Sequence, residues 1–400
     1  MTTRPEAPAS GLKGMQGSAL GVALIGCGNV AINCHGPALK ALEGAQIVAV
    51  VDPLEARRND ALQRFGLPAG AGFDSHSEML REFEPDFAVV AAPPSIRRSI
   101  VEALLEAGVH VLSEKPLATR PSDGEELVAR AAAVGLKFGM AHNYLFFPEY
   151  VAIREAITAG AIGELRFVNL NFMGVPDFPG HPDYRPRWRH QPQEAGGGIL
   201  MDMIHVIYVA EYLTGEPVRA VSAIIDNLGY PGDAVEDLAL LQLHFPRAYG
   251  AVNLSWAQGP GGVEVSGSKG RILAFYEDFT TGPFSTLDQM VLVNEEGKRL
   301  LEMPQPRENL DTFTALHADF IRAIVDDRDP VARGEVGLRC LEAALAAYES
   351  AVTGRTVSLP LDRSDPVYLR GIDGLRELSG WEGSPTLSAG ILGVGKEVRS

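Results

Sequence analysis

Residues 20–31 read Leu-Gly-Val-Ala-Leu-Ile-Gly-Cys-Gly-Asn-Val-Ala, an apolar run that ends in a Gly26-x-Gly28-x-x-Ala31 turn. A strand covered on both faces shows such an unbroken apolar run. In the turn that follows, the first glycine permits a tight reversal and the second lets a pyrophosphate approach bare backbone. The small Ala31 then lets helix and strand pack closely. Gly26, Gly28, Asn29 and Val30 are therefore candidate dinucleotide contacts. The next apolar run, 46–51, ends at Asp52. An acid at that place accepts hydrogen bonds from both adenosine ribose hydroxyls and repels a 2′-phosphate, so NAD is expected over NADP. Arg57 and Arg58 argue mildly the other way, but one helical turn on they are expected on a solvated face.

Working outward, further apolar runs at 86–91, 108–112 and 136–141 alternate with amphipathic stretches at 54–65, 75–83, 96–107 and 122–134. Alternation at this spacing predicts an α/β fold whose N-terminal part is a doubly wound parallel sheet of Rossmann type. Beyond residue 150 the pattern changes to extended runs at 217–226, 235–245, 249–257, 262–267, 270–276 and 288–293. Strands in succession predict an α+β part with a large, mostly antiparallel, open-faced sheet. One long helix is expected from 199 to 213, and two more near 311–326 and 335–353. The expected division is a loose leader over 1–18, a cofactor domain over 19–142, a substrate-binding and oligomerisation domain over 143–360, and an extension of unknown order over 361–400.

The 400 residues are 46% apolar, enough for two cores, and carry 35 Lys and Arg against 51 Asp and Glu, a net charge of −16. That balance repels nucleic acid and anionic membrane surfaces. Cys27, Cys34 and Cys340 are too scattered for a disulfide framework or a zinc site, which fits a reducing cytoplasm. No stretch approaches the ~20 apolar residues of a membrane span, and no HxH or HExxH spacing supports a metal.

Three further places carry chemistry. Ala91-Ala92-Pro93-Pro94 and Ser113-Glu114-Lys115-Pro116 each follow a strand, and ligands of open α/β sheets bind outside the carboxyl ends of the strands. Ala92, Pro93, Glu114 and Lys115 thus face a dinucleotide, with Lys115 at its nicotinamide end. Glu114 either pairs with Lys115 or binds ribose. After Gly196-Gly197-Gly198, whose glycines are expected to loosen the entry to the helix, come Asp202 and His205. Three positions apart on one helix, they stand on one face and address one substrate. An imidazole suits the proton that leaves an alcohol oxygen as hydride leaves its carbon. Trp188 and Arg189 either wall a sugar pocket or pack their loop; Tyr184, Arg185 and His181 lie in the same segment. Tyr208 and Tyr212 read as core.

Together the Gly26 turn, Asp52, Glu114-Lys115-Pro116, and the glycine run before Asp202 and His205 resemble the glucose-fructose oxidoreductase, inositol dehydrogenase and rhizopine catabolism (Gfo/Idh/MocA) family. His317-Ala-Asp-Phe-Ile321 through Gly354-Arg355 also looks like that family's closing helices, so the resemblance covers about residues 19–360. It implies an NAD-dependent oxidoreductase acting on a secondary hydroxyl of a sugar, cyclitol or glycoside. Lys115 would contact the nicotinamide ribose and the reacting oxygen, Asp202 would hold a hydroxyl, and His205 would serve as acid/base. Asn143 and Tyr144 match a family loop that bonds substrate or the nicotinamide carboxamide, although Leu145 stands where the family often has Arg. The family commonly spaces its Asp and His four apart with an intervening glycine. Here the spacing is three and Ile204 precedes His205, which shifts the acid/base role toward Lys115 and leaves open which of the two carries it. Two alternatives stay open: glycoside cleavage through transient oxidation, and a non-catalytic dinucleotide-binding regulator. The strand-rich second half, with apolar runs at 238–241 and 251–254, implies a homodimer or homotetramer.

Overall fold

A computed structural model describes residues 19–173, 187–227, 235–256, 261–275, 289–302 and 309–378. The expected leader over 1–18, Tyr184, Arg185, His181 and the end of the chain from 379 lie outside the described residues.

The first sheet is built from β1 (Leu20–Ile25), β2 (Ala45–Val51), β3 (Gly72–Phe73), β4 (Phe87–Val90), β5 (His110–Ser113) and β6 (Phe138–Met140). All pairs are parallel, in the order β3-β2-β1-β4-β5-β6. This is the doubly wound arrangement expected from the sequence. Its crossovers are a π-helical turn, Ala31–His35, running into α1 (Gly36–Lys40), then α2 (Glu55–Phe65), α3 (His76–Glu82), α4 (Pro94–Glu106) and α5 (Pro121–Val134). All four residues of β4 are buried, as a central strand requires.

The chain continues through α6 (Pro148–Thr158), β7 (Leu165–Met173), α7 (Pro192–Ala195), α8 (Ile199–Asp202) and α9 (His205–Thr214). Then follow β8 (Ala220–Asp226), β9 (Leu238–His244), β10 (Tyr249–Ser255), β11 (Gly261–Gly267), β12 (Gly270–Phe275), β13 (Gln289–Asn294) and β14 (Gly297–Leu301). Helices α10 (Asn309–Val325) and α11 (Gly334–Thr353), strand β15 (Val357–Ser358) and α12 (Pro366–Arg370) complete it. The nine strands run in the order β14-β13-β12-β11-β7-β10-β9-β8-β15, antiparallel except for the β7–β10 pair. The sequence reading omitted β7, which lies in the middle of this sheet. Its Val168, Leu170 and Phe172 point inward and are buried, while Asn169 and Asn171 break up the apolar signal on the other face and Arg166 is exposed near the start of the strand.

Three further expectations are corrected. The single helix over 199–213 is two helices, because the Asp202 carbonyl accepts Lys115 Nζ at 2.5 Å instead of an amide of the next turn. Val206 N–H bonds one residue short, to Met203 O at 3.2 Å. The glycine run does not loosen this entry: a Cβ on Gly197 would lie 2.0 Å from the Tyr348 hydroxyl and one on Gly198 2.3 Å from Glu236 O. Lastly, Arg58 is half-buried rather than free in solvent, its Nη1 donating to the Asp52 carbonyl at 2.7 Å.

The C-terminal helices return to the first sheet. Met140 N–H bonds to Ala332 O at 2.8 Å, and α10 packs on α1. Residues 361–378 are ordered against this junction, with Leu361, Val367, Tyr368, Ile372 and Leu375 buried. Tyr368 and Arg363 both reach Glu125 of α5.

Candidate active site

One cavity of about 720 Å³ lies along the carboxyl edge of the first sheet and under α8. It is lined by every candidate catalytic, cofactor and substrate contact of the sequence analysis: Gly26, Gly28, Asn29, Val30, Asp52, Ala92, Pro93, Glu114, Lys115, Asn143, Tyr144, Trp188, Arg189, Asp202 and His205.

At one end is the glycine turn. Gly26 has φ +90° and packs so tightly on the turn after β4 that a Cβ would sit 2.8 Å from the Ala91 carbonyl carbon. Gly28, by contrast, has nothing within 4 Å of its Cβ position and borders the cavity. Asp52 is fixed from both sides: Oδ2 accepts Cys27 N–H and Oδ1 accepts Leu54 N–H, each at 2.9 Å. Each carboxylate oxygen keeps lone-pair capacity for a further donor. Bare backbone at Gly28 and a pinned acid at Asp52 fit a dinucleotide. Arg57, half-exposed and 4.0 Å from Asp52, does not displace that acid from its place.

The two turns after β4 and β5 are tied together by Arg97, a residue not singled out by the sequence reading. Its buried guanidinium donates from Nη2 to Ala92 O at 2.7 Å and from Nη1 to the carbonyls of Glu114 and Pro116. Burial pulls its pKa down to about 10, which still leaves it charged. Glu114 meets Lys115 through its backbone amide rather than through a hydrogen bond to its amine. Its Oε1 bonds His35 Nε2 at 3.0 Å, its Oε2 takes the Lys115 amide, and His35 Nδ1 meets His317 Nε2 of α10 at 3.0 Å. Burial pushes the Glu114 carboxyl up, but the His35 bond and the nearby Lys115 and Arg97 charges hold it below its usual range.

At the other end Lys115 lies between the two sheets. Its Nζ is 2.5 Å from Asp202 O and 3.5 Å from Asp202 Oδ1, and Arg189 Nη1 reaches the same Oδ1 at 3.1 Å. Burial lowers the Lys115 pKa, Asp202 opposes this, and Arg189 adds to it. For Asp202, burial acts upward but the Arg189 and Lys115 charges prevail and hold the carboxyl ionised. Opposite them His205 stacks on Tyr144, centroids 4.3 Å apart, and its Nδ1 meets the Tyr208 hydroxyl. Burial, then the Lys115 charge, lower the His205 pKa well below the ordinary histidine value, so the ring is neutral. His142, two residues past β6, stacks on Tyr208 with ring centroids 3.9 Å apart. Tyr208, expected to be plain core, is therefore a buried polar partner of the site. Asn143 donates from Nδ2 to Thr312 Oγ1 of α10 at 3.3 Å. Trp256, also missed, walls the cavity beside His190. His142 directly after a strand and Tyr208 three residues past His205 were the available signals for two of these. Among the described residues no group of three or more His, Cys, Asp or Glu side chains is placed to hold a metal ion.

The helix bearing Asp202 starts on Glu236. Its Oε2 accepts Gly198 N–H at 2.8 Å, and its Oε1 accepts Leu200 N–H at 3.0 Å and the Tyr348 hydroxyl at 2.6 Å. Burial pushes this carboxyl up to about 7 against those three donors. A carboxyl raised in the folded state contributes stability that is full below its unfolded pKa and is lost as pH rises through the folded value. Glu236→Gln keeps the shape but turns an NH₂ toward an N–H donor. It is expected to cost about 1–3 kcal/mol. Melting curves check both points: the wild type loses stability from this site between about pH 5 and pH 8, and the variant's curve is flatter there.

Residues 20–142 match the model of an oxidoreductase family with an NAD-binding Rossmann fold, and residues 150–273 match the Gfo/Idh/MocA C-terminal domain. The chain is 28% identical over 343 residues to 1,5-anhydro-D-fructose reductase of Ensifer adhaerens, covering 84% of this chain and 97% of that one. It is 28% identical to myo-inositol 2-dehydrogenase of Thermotoga maritima, covering 84% and 98%. Among solved structures, an aldose-aldose oxidoreductase of Caulobacter crescentus superposes with a TM-score of 0.75 at 26% identity, covering 85% of this chain and all of that one. With both domain models matched in order, and the glycine turn, Asp52, Lys115, Asp202 and His205 gathered on one cavity, the chain belongs to the Gfo/Idh/MocA family of oxidoreductases.

Proposed function

We propose that the protein transfers hydride between a secondary hydroxyl of a sugar, cyclitol or glycoside and NAD. The observation that carries this is the convergence of Lys115, Asp202 and His205 on the same cavity as Gly28 and Asp52. The relatives named as sugar reductase and inositol dehydrogenase support the substrate class. Residues 19–142 hold the dinucleotide and 143–360 the substrate: Gly26, Gly28, Asn29 and Val30 take the pyrophosphate, Asp52 the ribose, and Ala92, Pro93, Glu114 and Asn143 the nicotinamide half. When bound, the nicotinamide supplies the hydride acceptor or donor. In its neutral form Lys115 has two N–H bonds, which Asp202 O and Oδ1 can accept, and this leaves its lone pair for the substrate hydroxyl. In that place it takes the hydroxyl proton during oxidation and returns it during reduction. Asp202 and Arg189 orient neighbouring hydroxyls, and Tyr144 and Trp188 wall the sugar.

The test is a panel of sugars, sugar acids, inositols and glycosides read by NADH absorbance, with NAD and NADP in parallel. Activity with NAD on at least one polyol supports the reading. Tight NAD binding without turnover on any member would instead identify a regulator, and aglycone release without net NADH a glycoside-cleaving enzyme.

The outward face of the nine-stranded sheet suits self-association in a cytoplasmic homodimer or homotetramer. Alternation splits the runs 238–241 and 251–254: Ala239, Leu241, Val252 and Leu254 are buried inward, so the outward face is mixed rather than apolar. Asn169, Asn171 and Asn253 bond one another across it, flanked by exposed Phe167, Ile224 and Tyr249. Ile224 is 65% exposed and Tyr249 60%, large values for such side chains in an isolated subunit. Sedimentation is expected to give at least twice the chain mass, and the double change Ile224→Lys with Tyr249→Lys to lower it to one. A monomeric wild type would contradict this. Among the described residues no helix is long and apolar enough to cross a membrane.

A further inference from the structure

The Tyr208 hydroxyl has two hydrogen-bond neighbours, Tyr144 N–H at 3.4 Å and His205 Nδ1. An amide N–H only donates, so the hydroxyl accepts from Tyr144 and its own hydrogen has one acceptor, His205 Nδ1. A neutral imidazole that accepts at Nδ1 carries its proton on Nε2. The ring has no freedom to turn away: Tyr144 stacks on its face, and Tyr208 is held in turn by His142. We propose that Tyr208 is a positioning residue that fixes His205 as the Nε2–H tautomer, so that His205 offers the substrate oxygen a hydrogen-bond donor and does not act as the base.

This inference rests on the reading of the cavity as a sugar oxidoreductase site and divides the labour within it. During oxidation the substrate O–H bond breaks toward the Lys115 amine, which becomes an ammonium, and the hydride leaves carbon for the nicotinamide dinucleotide. The carbonyl oxygen so formed accepts from His205 Nε2–H. Tyr144 and Tyr208 touch the ring, burial keeps the Tyr208 hydroxyl un-ionised, and the charges that act on His205 come from Lys115, Arg189 and His142, none of them an anion that would favour an imidazolium. Asp202 is already shared by Lys115 and Arg189.

The experiment is nitrogen-15 NMR of histidine-labelled full-length protein without substrate, with His205→Asn identifying the His205 signals. The expected spectrum has Nδ1 unprotonated and Nε2 protonated, unchanged between about pH 6 and pH 9. A proton on Nδ1 would overturn the proposal. In Tyr208→Phe the tautomer preference is expected to weaken about fivefold, with kcat falling about fivefold to tenfold and KM little changed. An unaltered tautomer in that variant would also overturn it. Should Tyr208→Phe fail to fold, the wild-type spectrum still decides. Because the spectrum is recorded without substrate, an inactive sugar panel beside the expected tautomer would count against the function and not against Tyr208.

Discussion

Lys115→Ala is expected to lower turnover by about three orders of magnitude, the usual contribution of a positioned proton-transfer group, while NAD affinity changes by less than about tenfold. The side chain does two things in the structure, and both end in the loss. Its amine stands beside Asp202 and Arg189, where the proposed reaction puts the substrate oxygen, and its bond to Asp202 O caps the break between α8 and α9. The proposed dinucleotide contacts, Gly28 and Asp52, line the other end of the cavity and are not held by it. Lys115→Arg is expected to be nearly as inactive, since guanidinium keeps the charge but has no neutral form at working pH. The sign of the pH response follows from the same residue. Burial lowers its pKa, so the amine needed for oxidation gains population as pH rises through that lowered value, and the ammonium needed for reduction loses it. Oxidation should therefore rise with pH and reduction fall. Steady-state kinetics of both directions, with NAD affinity by calorimetry, check this; full activity of Lys115→Ala would remove Lys115 from the chemistry.

The second large effect separates two glycines that look alike in sequence. Gly28→Val adds atoms where nothing lies within 4 Å, so the melting temperature should move little. Those atoms fill the place through which a pyrophosphate reaches the backbone, and NAD affinity should fall by about 100-fold or more. Gly26→Val does the reverse. Its Cβ would meet Ala91 backbone at 2.8 Å in a left-handed conformation, so the protein itself should be destabilised by several kcal/mol. Thermal melts beside NAD titrations resolve the two. Equal loss of stability in both variants would contradict the assignment of Gly28 to ligand approach.

The first sheet was legible because its determinants are local. Strands buried on both faces are unbroken apolar runs, and the Gly26 turn and Asp52 each stand directly after such a run. The same locality brought Lys115, Asp202 and His205 into view. What escaped is set by partners far along the chain. The break after Asp202 depends on an amine 87 positions away, and Glu236 reaches back 38 to Gly198. Arg97 resembles any surface arginine of a helix until three carbonyls converge on it. Strand β7 was missed for a different reason: outward Asn169 and Asn171, with exposed Arg166 near its start, dilute the alternation that its inward Val168, Leu170 and Phe172 carry. His35, Glu114 and His317 form a chain across two sheet edges and α10 that no spacing rule encodes.

The most direct test of the central claim uses a substrate found active in the panel, deuterated at the carbinol carbon. The expected result is one equivalent each of ketone and NADH, with the deuterium at C4 of the nicotinamide. Product formed with no deuterium on the cofactor would contradict hydride transfer in this cavity.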